Sequence, residues 1–200
     1  MKKAVIILTF FSFLVLGGCV SVSQQRETLL AKANILLREG NREDAEAVYR
    51  QIIEDFDDDG RAGYNLVALL MFDARYEEAS AIAMEMYSLY PEKIEFPKAA
   101  ARAYTLAGNP DEAGNIWSQL ADAYPTDGNV LKDTALFFKE QGNLIMSKEM
   151  AFRLLELATH DALALEILAA ATEDDGGAEP WKSLAEDSRY LSRITWNETP

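Results

Sequence analysis

Cysteine and histidine, which carry much of the nucleophilic and metal chemistry of proteins, each occur once in this chain, as Cys19 and His160. A single cysteine cannot form an intramolecular disulfide. One cysteine and one histidine are also too few for a structural cysteine–histidine zinc site. A serine or cysteine hydrolase would need His160 as its base. We interpret His160 as a solvated turn residue and expect no enzymatic activity, no resident metal and no cofactor.

One acidic segment could bind a cation. Asp55-Phe-Asp-Asp-Asp-Gly60 matches the first half of a calcium-binding EF-hand loop. The complete loop needs a bidentate glutamate at its twelfth position, where this chain has Leu66. We favour an ordinary acidic turn between two helices, and a weak calcium site over Asp55–Asp59 stays an open alternative.

The first nineteen residues have the organisation of a secretion signal. Lys2 and Lys3 precede an apolar run from Ala4 to Leu16. This run is shorter than the roughly twenty residues that a membrane-spanning helix needs. It ends in Leu16-Gly17-Gly18-Cys19, which resembles the cleavage and acylation site of bacterial lipoproteins. An ordinary secretory signal that contains an incidental cysteine is the alternative.

The lipoprotein resemblance implies that Met1–Gly18 is removed and that Cys19, the new N-terminus, carries acyl chains such as palmitate. Two such chains suffice for stable membrane attachment. Val20 stands where enterobacterial lipoproteins retained in the inner membrane have aspartate, which favours the outer membrane, facing the periplasm. Residues 19–25 would then be the lipidated cysteine and a short polar tether.

The chain is strongly acidic, with 33 Asp and Glu against 19 Lys and Arg and a formal net charge of -14. This charge disfavours nucleic acid and anionic lipid surfaces as partners. We therefore expect protein partners, with the membrane contacted only through the Cys19 lipid.

Small residues recur every 34 positions over most of the chain. Three series share this pitch and phase, which is the mark of a repeat architecture. The first is Ala45, Ala79, Ala113 and Ser147; the second, five residues earlier, is Gly40, Ala74, Gly108 and Gly142, with Gly176 next; the third is Ala33, Val67, Ala101, Ala135 and Ala169.

The pitch and the residues resemble the tetratricopeptide repeat. Gly108-Asn-Pro-Asp-Glu-Ala113 and Gly40-Asn-Arg-Glu-Asp-Ala45 are similar to the family's helix–turn–helix junction. An aromatic residue follows each of these alanines by four positions, and a proline follows two of the small residues by twelve. These residues are Tyr49, Trp117, Pro91 and Pro125.

The resemblance implies an all-α protein, a right-handed α-solenoid of about five 34-residue repeats over residues 26–195, with a C-terminal tail over 196–200. The fifth repeat has Trp181 at the position of the small residue. Because tryptophan is too large for close helix packing there, we expect a degenerate cap. The residues expected to seal the last core are Trp181, Leu184, Tyr190 and Leu191.

In this family, partners bind in a concave groove lined by the first helix of each repeat, at its second, fifth, ninth and twelfth positions. Five of the groove residues that this rule predicts are basic, and Glu95 is the acid that it adds in repeats two to four. The predicted groove is Asn34, Arg61, Tyr64, Lys98, Arg102, Lys132 and Lys139.

A basic groove on an acidic body favours an acidic peptide segment or a C-terminal carboxylate of a cell-envelope protein. The arrangement is similar to the carboxylate clamp of chaperone-binding members, but it lacks their full lysine–asparagine set. Alternatively, the cations pair with neighbouring acids and have no binding role. A second functional hypothesis is an accessory ligand-binding protein of a periplasmic transport system, which a closed pocket around Tyr64 and Met71 would favour.

Overall fold

A computed structural model describes residues 21–56, 60–172 and 177–197, with side chains as far as Asp187. These residues form ten helices and no strand, which confirms the predicted all-α class. Each predicted repeat contributes two helices. They are α1 Val22–Arg38, α2 Arg42–Asp55, α3 Arg61–Phe72, α4 Tyr76–Leu89, α5 Glu95–Leu106, α6 Pro110–Ala123, α7 Gly128–Glu140, α8 Leu144–Leu157, α9 Ala162–Ala171 and α10 Ala178–Asn197.

Several predicted features lie outside the described residues. They are the leader Met1–Gly18, the lipidation site Cys19, Asp57–Asp59 of the acidic turn, Gly176, residues 198–200, and the side chains of Tyr190 and Leu191.

The turns within the repeats have the predicted left-handed residue. Gly40, Gly108 and Gly142 have φ values of 83°, 80° and 72°. No heavy atom lies within 4 Å of a Cβ built at any of these three positions. The backbone conformation, not crowding, therefore explains the glycines. Ala74 stands at the equivalent position of the second repeat and has a φ of 58°, which is costly for a residue that has a Cβ.

The small residues that were predicted to let paired helices approach closely are buried. Ser147 shows how a polar residue fits this role, because its hydroxyl donates a hydrogen bond of 3.1 Å to the carbonyl oxygen of Ala135. The two buried series are Ala45, Ala79, Ala113 and Ser147, and Ala33, Val67, Ala101, Ala135 and Ala169.

The described residues divide into two compact units, one within Met1–Asp73 and the other within Ala74–Pro200. In the first unit, α2 packs against both α1 and α3. In the second unit, each helix from α4 to α10 packs against the next. One core cluster of this second unit surrounds Trp117 and Phe138, and another surrounds Met150 and Leu168.

The last helix packs against the second core through one of the predicted cap residues, Trp181, but not through Leu184. Trp181 packs against this core as expected, and its ring meets that of Phe152 edge-on at 6.3 Å. Leu184 does not seal the core, since its side chain is 41% exposed, whereas Ala178 and Ala185 are buried. Ala178, Trp181 and Ala185 lie three and four residues apart and so share one helix face, from which Leu184 diverges.

The N-terminal helix begins earlier than predicted. Residues 22–25, which were assigned to the tether, belong to α1. Ser21 caps this helix, because its side-chain oxygen accepts a hydrogen bond of 3.2 Å from the backbone NH of Gln24. Within the described ranges, no helix has the length and apolar character needed to cross a membrane.

Candidate functional site

All seven predicted groove residues lie on the first helices of their repeats. Asn34 is on α1, and Arg61 and Tyr64 are on α3, so these three belong to the first compact unit. The remaining four lie on α5 and α7 of the second unit and are Lys98, Arg102, Lys132 and Lys139.

In the second unit, one carboxylate holds two of the predicted cations. Lys98 Nζ lies 2.6 Å from Asp133 Oδ2, and an Arg102 guanidinium nitrogen lies 3.3 Å from the same oxygen. Asp133 is on α7, so these pairs join the first helices of adjacent repeats. Two positive charges face one negative charge, and the side chain of Arg102 is 56% exposed. This group therefore keeps a positive charge that solvent can reach.

Lys132 is also paired. Its Nζ lies 2.7 Å from Asp161 Oδ2. The other oxygen of Asp161 accepts a hydrogen bond of 3.1 Å from the backbone NH of Ala164 and so caps α9. Because Asp161 lies at the start of α9, the Lys132 ion pair links α7 to the start of the next repeat.

Lys139 differs from the other predicted cations. It is exposed on the last turn of α7 and forms no ion pair with any described residue. We define the α5–α7 basic face as Lys98, Arg102, Lys132 and Lys139. Because Lys139 is unpaired among the described residues and Arg102 shares its carboxylate with Lys98, this face has more cations than paired carboxylates. The pairing of groove cations with acids, which was the alternative to a binding role, is thus observed for three of these four residues.

In the first unit, Arg61 pairs with an acid one repeat away. Its guanidinium donates a hydrogen bond of 3.2 Å to Glu27 Oε2 and a second bond to Oε1. The hydrogen bond from Arg61, with a smaller contribution from Arg26, lowers the pKa of Glu27. Both side chains of the Arg61–Glu27 pair are solvent-exposed, so it contributes little to stability.

Asn34 has a structural partner. The buried phenol of Tyr49 donates a hydrogen bond of 2.9 Å to Asn34 Oδ1. Burial raises the pKa of Tyr49, and a hydrogen bond with Asn65 partly opposes this. These three residues lie at an open pocket of about 370 Å³ whose rim includes Arg42, stacked 4.4 Å from the ring centre of Phe72. Asn34 therefore organises this pocket as well as facing solvent.

Tyr64 lies on α3, outside the pocket beside Asn34. Its side chain is 50% exposed, and neither it nor Met71 lines the pocket beside Asn34. This pocket therefore gives no support to the small-ligand hypothesis, which depends on Tyr64 and Met71.

A family model described as "Tetratricopeptide repeat" matches residues 27–59, which span α1 and α2. The 34-residue spacing of the buried small residues and left-handed turns extends the same unit along the chain. Residues 27–59 therefore match a tetratricopeptide repeat, and the same spacing continues beyond them. Comparison with proteins of curated function finds no significant match.

Several solved structures have a similar fold. MamA 41-end from Desulfovibrio magneticus RS-1 is 13% identical, with a TM-score of 0.66 over 87% of this chain and 98% of that chain. A MamA protein crystal structure is 9% identical, with a TM-score of 0.68 over 90% and 98%. A tetratricopeptide repeat protein from Parabacteroides merdae ATCC 43184 is 17% identical, with a TM-score of 0.68 over 86% and 69%. At these identities the likeness shows the fold.

Sequence reasoning missed the carboxylates that pair with the predicted basic groove residues. Their signal is a separation close to the repeat length, since Arg61 lies 34 residues from Glu27 and Arg102 lies 31 from Asp133. A search for opposite charges about one repeat apart would have included them among its candidates. His160 is exposed as predicted, with Nδ1 2.9 Å from the hydroxyl of its neighbour Thr159.

Proposed function

We propose that this protein is a lipid-anchored interaction scaffold of a bacterial cell envelope, and that its α5–α7 basic face binds an acidic or C-terminal segment of a partner protein. The scaffold role follows from the repeat fold, whose members present helical surfaces to other proteins. The anchor and the partner class rest on the leader sequence and on the charges described above.

The surplus positive charge at Arg102 and Lys139 carries the proposal for the partner. These two cations are exposed on adjacent first helices of a chain whose net charge is -14. A local positive face on an acidic protein attracts an acidic segment and repels a basic one. This favours specificity and fast association. The planar guanidinium of Arg102 suits a carboxylate, because its parallel N–H groups can donate to both oxygens.

The anchor supports an envelope location. A lipid on Cys19 would hold the repeats at a membrane surface, where their partners would be envelope proteins. Val20 favours the outer membrane and hence the periplasmic face. Assembly of an envelope complex is the role that best combines a fixed anchor with a peptide-binding face.

Affinity capture from envelope extract tests this proposal. The bait is the detergent-solubilised full-length protein, and an Arg102→Gln/Lys139→Gln variant removes the surplus charges without reversing them. The matched control, Lys148→Gln/Lys182→Gln, removes two cations from the second helices α8 and α10. We expect one or more envelope proteins with acidic segments to be retained by the wild type and the control and lost by the first variant. Retention by all three would reject the basic face as the site.

A further inference from the structure

The second unit contains a pocket that the basic face does not use. It lies between the first half of α6 and the junction of α7 with α8, and its volume is about 540 Å³. Its floor is formed by Phe137 and Phe138, whose rings meet edge-on at 5.1 Å, and by Gly114. Met146 adds a flexible apolar wall. We call this site the Gly114 pocket.

The glycine in the floor is not required by the fold. Gly114 has helical backbone angles and lies in the interior of α6. A Cβ at this position would lie 3.4 Å from Phe137 Cε1 and 3.5 Å from Phe138 Cε1, which is ordinary van der Waals contact. Alanine would therefore fit and would stabilise the helix. Keeping glycine lowers stability and leaves the pocket open, a combination that is typical of binding sites.

The rim can satisfy the polar groups of a polypeptide. Asn115, Ser118 and Gln141 line the pocket, and none of these side chains has a hydrogen-bond partner among the described residues. Side-chain amides and hydroxyls provide both donors and acceptors, as the backbone of an extended peptide requires. An apolar floor beneath such a rim is the usual composition of a ligand site.

The charge at the rim of the pocket indicates which residue would be favoured next to an apolar side chain bound in it. Among the described residues that line the pocket, Asp111 is the only charged one. An amine or guanidinium placed next to the bound apolar side chain would pair with this carboxylate. The net charge of -14 would also attract a basic segment to the protein.

We propose that the Gly114 pocket binds the leucine, methionine or phenylalanine side chain of a partner polypeptide in which lysine or arginine is the adjacent residue. Its preference for a basic segment is opposite to that of the α5–α7 basic face. Together with the proposed function of the basic face, on which this consequence rests, the pocket would give the protein two docking sites of opposite charge preference and would let it join two different partners.

Selection from a random seven-residue peptide library displayed on phage tests the proposal on the full-length protein in detergent. We expect the recovered peptides to be enriched at least about tenfold in an apolar residue adjacent to Lys or Arg. Gly114→Met fills the pocket and should abolish this enrichment. Gly128→Ala is the matched control, because a Cβ on this helical glycine has no heavy atom within 4 Å. It should leave the enrichment unchanged, and Asp111→Asn should remove the basic preference alone.

Gly114→Ala separates loss of binding from loss of folding. This variant should melt at the same or a higher temperature than the wild type, yet bind a recovered peptide several-fold more weakly. Recovery of the same peptides by Gly114→Met, enrichment without an apolar–basic pair, or no enrichment at all would each overturn the proposal. So would an unchanged peptide affinity in Gly114→Ala.

Discussion

Lys98 Nζ lies 2.6 Å from Asp133 Oδ2, and this ion pair joins the first helices of two adjacent repeats. Arg102 reaches the same oxygen at 3.3 Å, so one carboxylate holds two cations on a surface that we propose binds carboxylates. On this proposal, Asp133 occupies the position that an acidic group of the partner would take. The proposal then predicts that the affinity of the α5–α7 basic face depends on how easily Asp133 is displaced.

Removing this internal carboxylate should strengthen binding. In Asp133→Asn, Lys98 and Arg102 lose their anionic partner, and we expect the affinity for an acidic peptide to rise about three- to tenfold at low salt. Stability should change by no more than about 1 kcal/mol, because partly exposed ion pairs contribute little. Fluorescence anisotropy with a labelled acidic peptide measures the affinity, and Glu149→Gln on α8 is the control. An unchanged or weaker affinity in Asp133→Asn would count against direct competition.

The left-handed alanine offers a direct test of the repeat turn. Ala74→Gly should raise the free energy of unfolding by about 0.5–1 kcal/mol, because the relief of strain at φ 58° exceeds the added entropy of the unfolded chain. Gly108→Ala introduces the same strain in the next repeat without any steric contact and should cost about 1 kcal/mol. Urea denaturation followed by circular dichroism measures both changes. Destabilisation by Ala74→Gly would contradict this explanation.

Much of the fold could be predicted because the repeat imposes a steric requirement on particular residues. Gly40, Gly108 and Gly142 take left-handed angles, and Ala45 and Ala113 are buried, each at the position that the 34-residue period predicts. Such requirements concern one residue and its own backbone or its paired helix. These features can therefore be predicted from the sequence alone.

The pairing of the groove cations could not be predicted in the same way. Whether Lys98 meets Asp133 depends on the register of α5 against α7 and on the reach of a long side chain, and neither leaves a mark within one repeat. The end of the array posed a similar difficulty. Trp181 breaks the pattern of small residues, so the rotation of α10 about its axis was free to bury Ala185 in place of Leu184.

Tyr49 should make the first unit sensitive to high pH. Burial raises its pKa above the ordinary value of 10.0, so the folded state holds the phenolic proton more tightly than the unfolded chain does. The stabilising contribution is complete below about pH 10 and is lost as the pH rises through the pKa of the folded state. Tyr49→Phe should reduce this loss, and at neutral pH it should cost about 0.5–1.5 kcal/mol through the missing hydrogen bond to Asn34.

Urea denaturation between about pH 9 and pH 11 checks this prediction. Tyr64→Phe removes the same hydroxyl group at a half-exposed position and is the control. If the wild type and Tyr49→Phe lost stability equally steeply over this range, burial of Tyr49 would not be the cause.

Cys19 should be the site of the membrane anchor. Cells grown with an alkyne analogue of palmitate should label the wild-type protein, and the Cys19→Ser variant should remain unlabelled and keep its leader. The double variant Cys19→Ser/Ser21→Cys moves the thiol by two residues and should not restore labelling, because the lipoprotein resemblance places the acylated cysteine directly after Gly18. Labelling of Cys19→Ser, or leader removal without labelling in the wild type, would favour an ordinary secretion signal.

The most direct test of the proposed function is the affinity of the full-length protein for a labelled eight-residue Glu/Ser peptide that ends in a free carboxylate. Fluorescence anisotropy is measured at about 50 and 150 mM salt. We predict that binding weakens several-fold between these two salts, and that Arg102→Gln/Lys139→Gln loses about tenfold in affinity while Lys148→Gln/Lys182→Gln is unchanged. Equal affinities for both double variants, with no effect of salt, would contradict an acidic partner on the α5–α7 basic face.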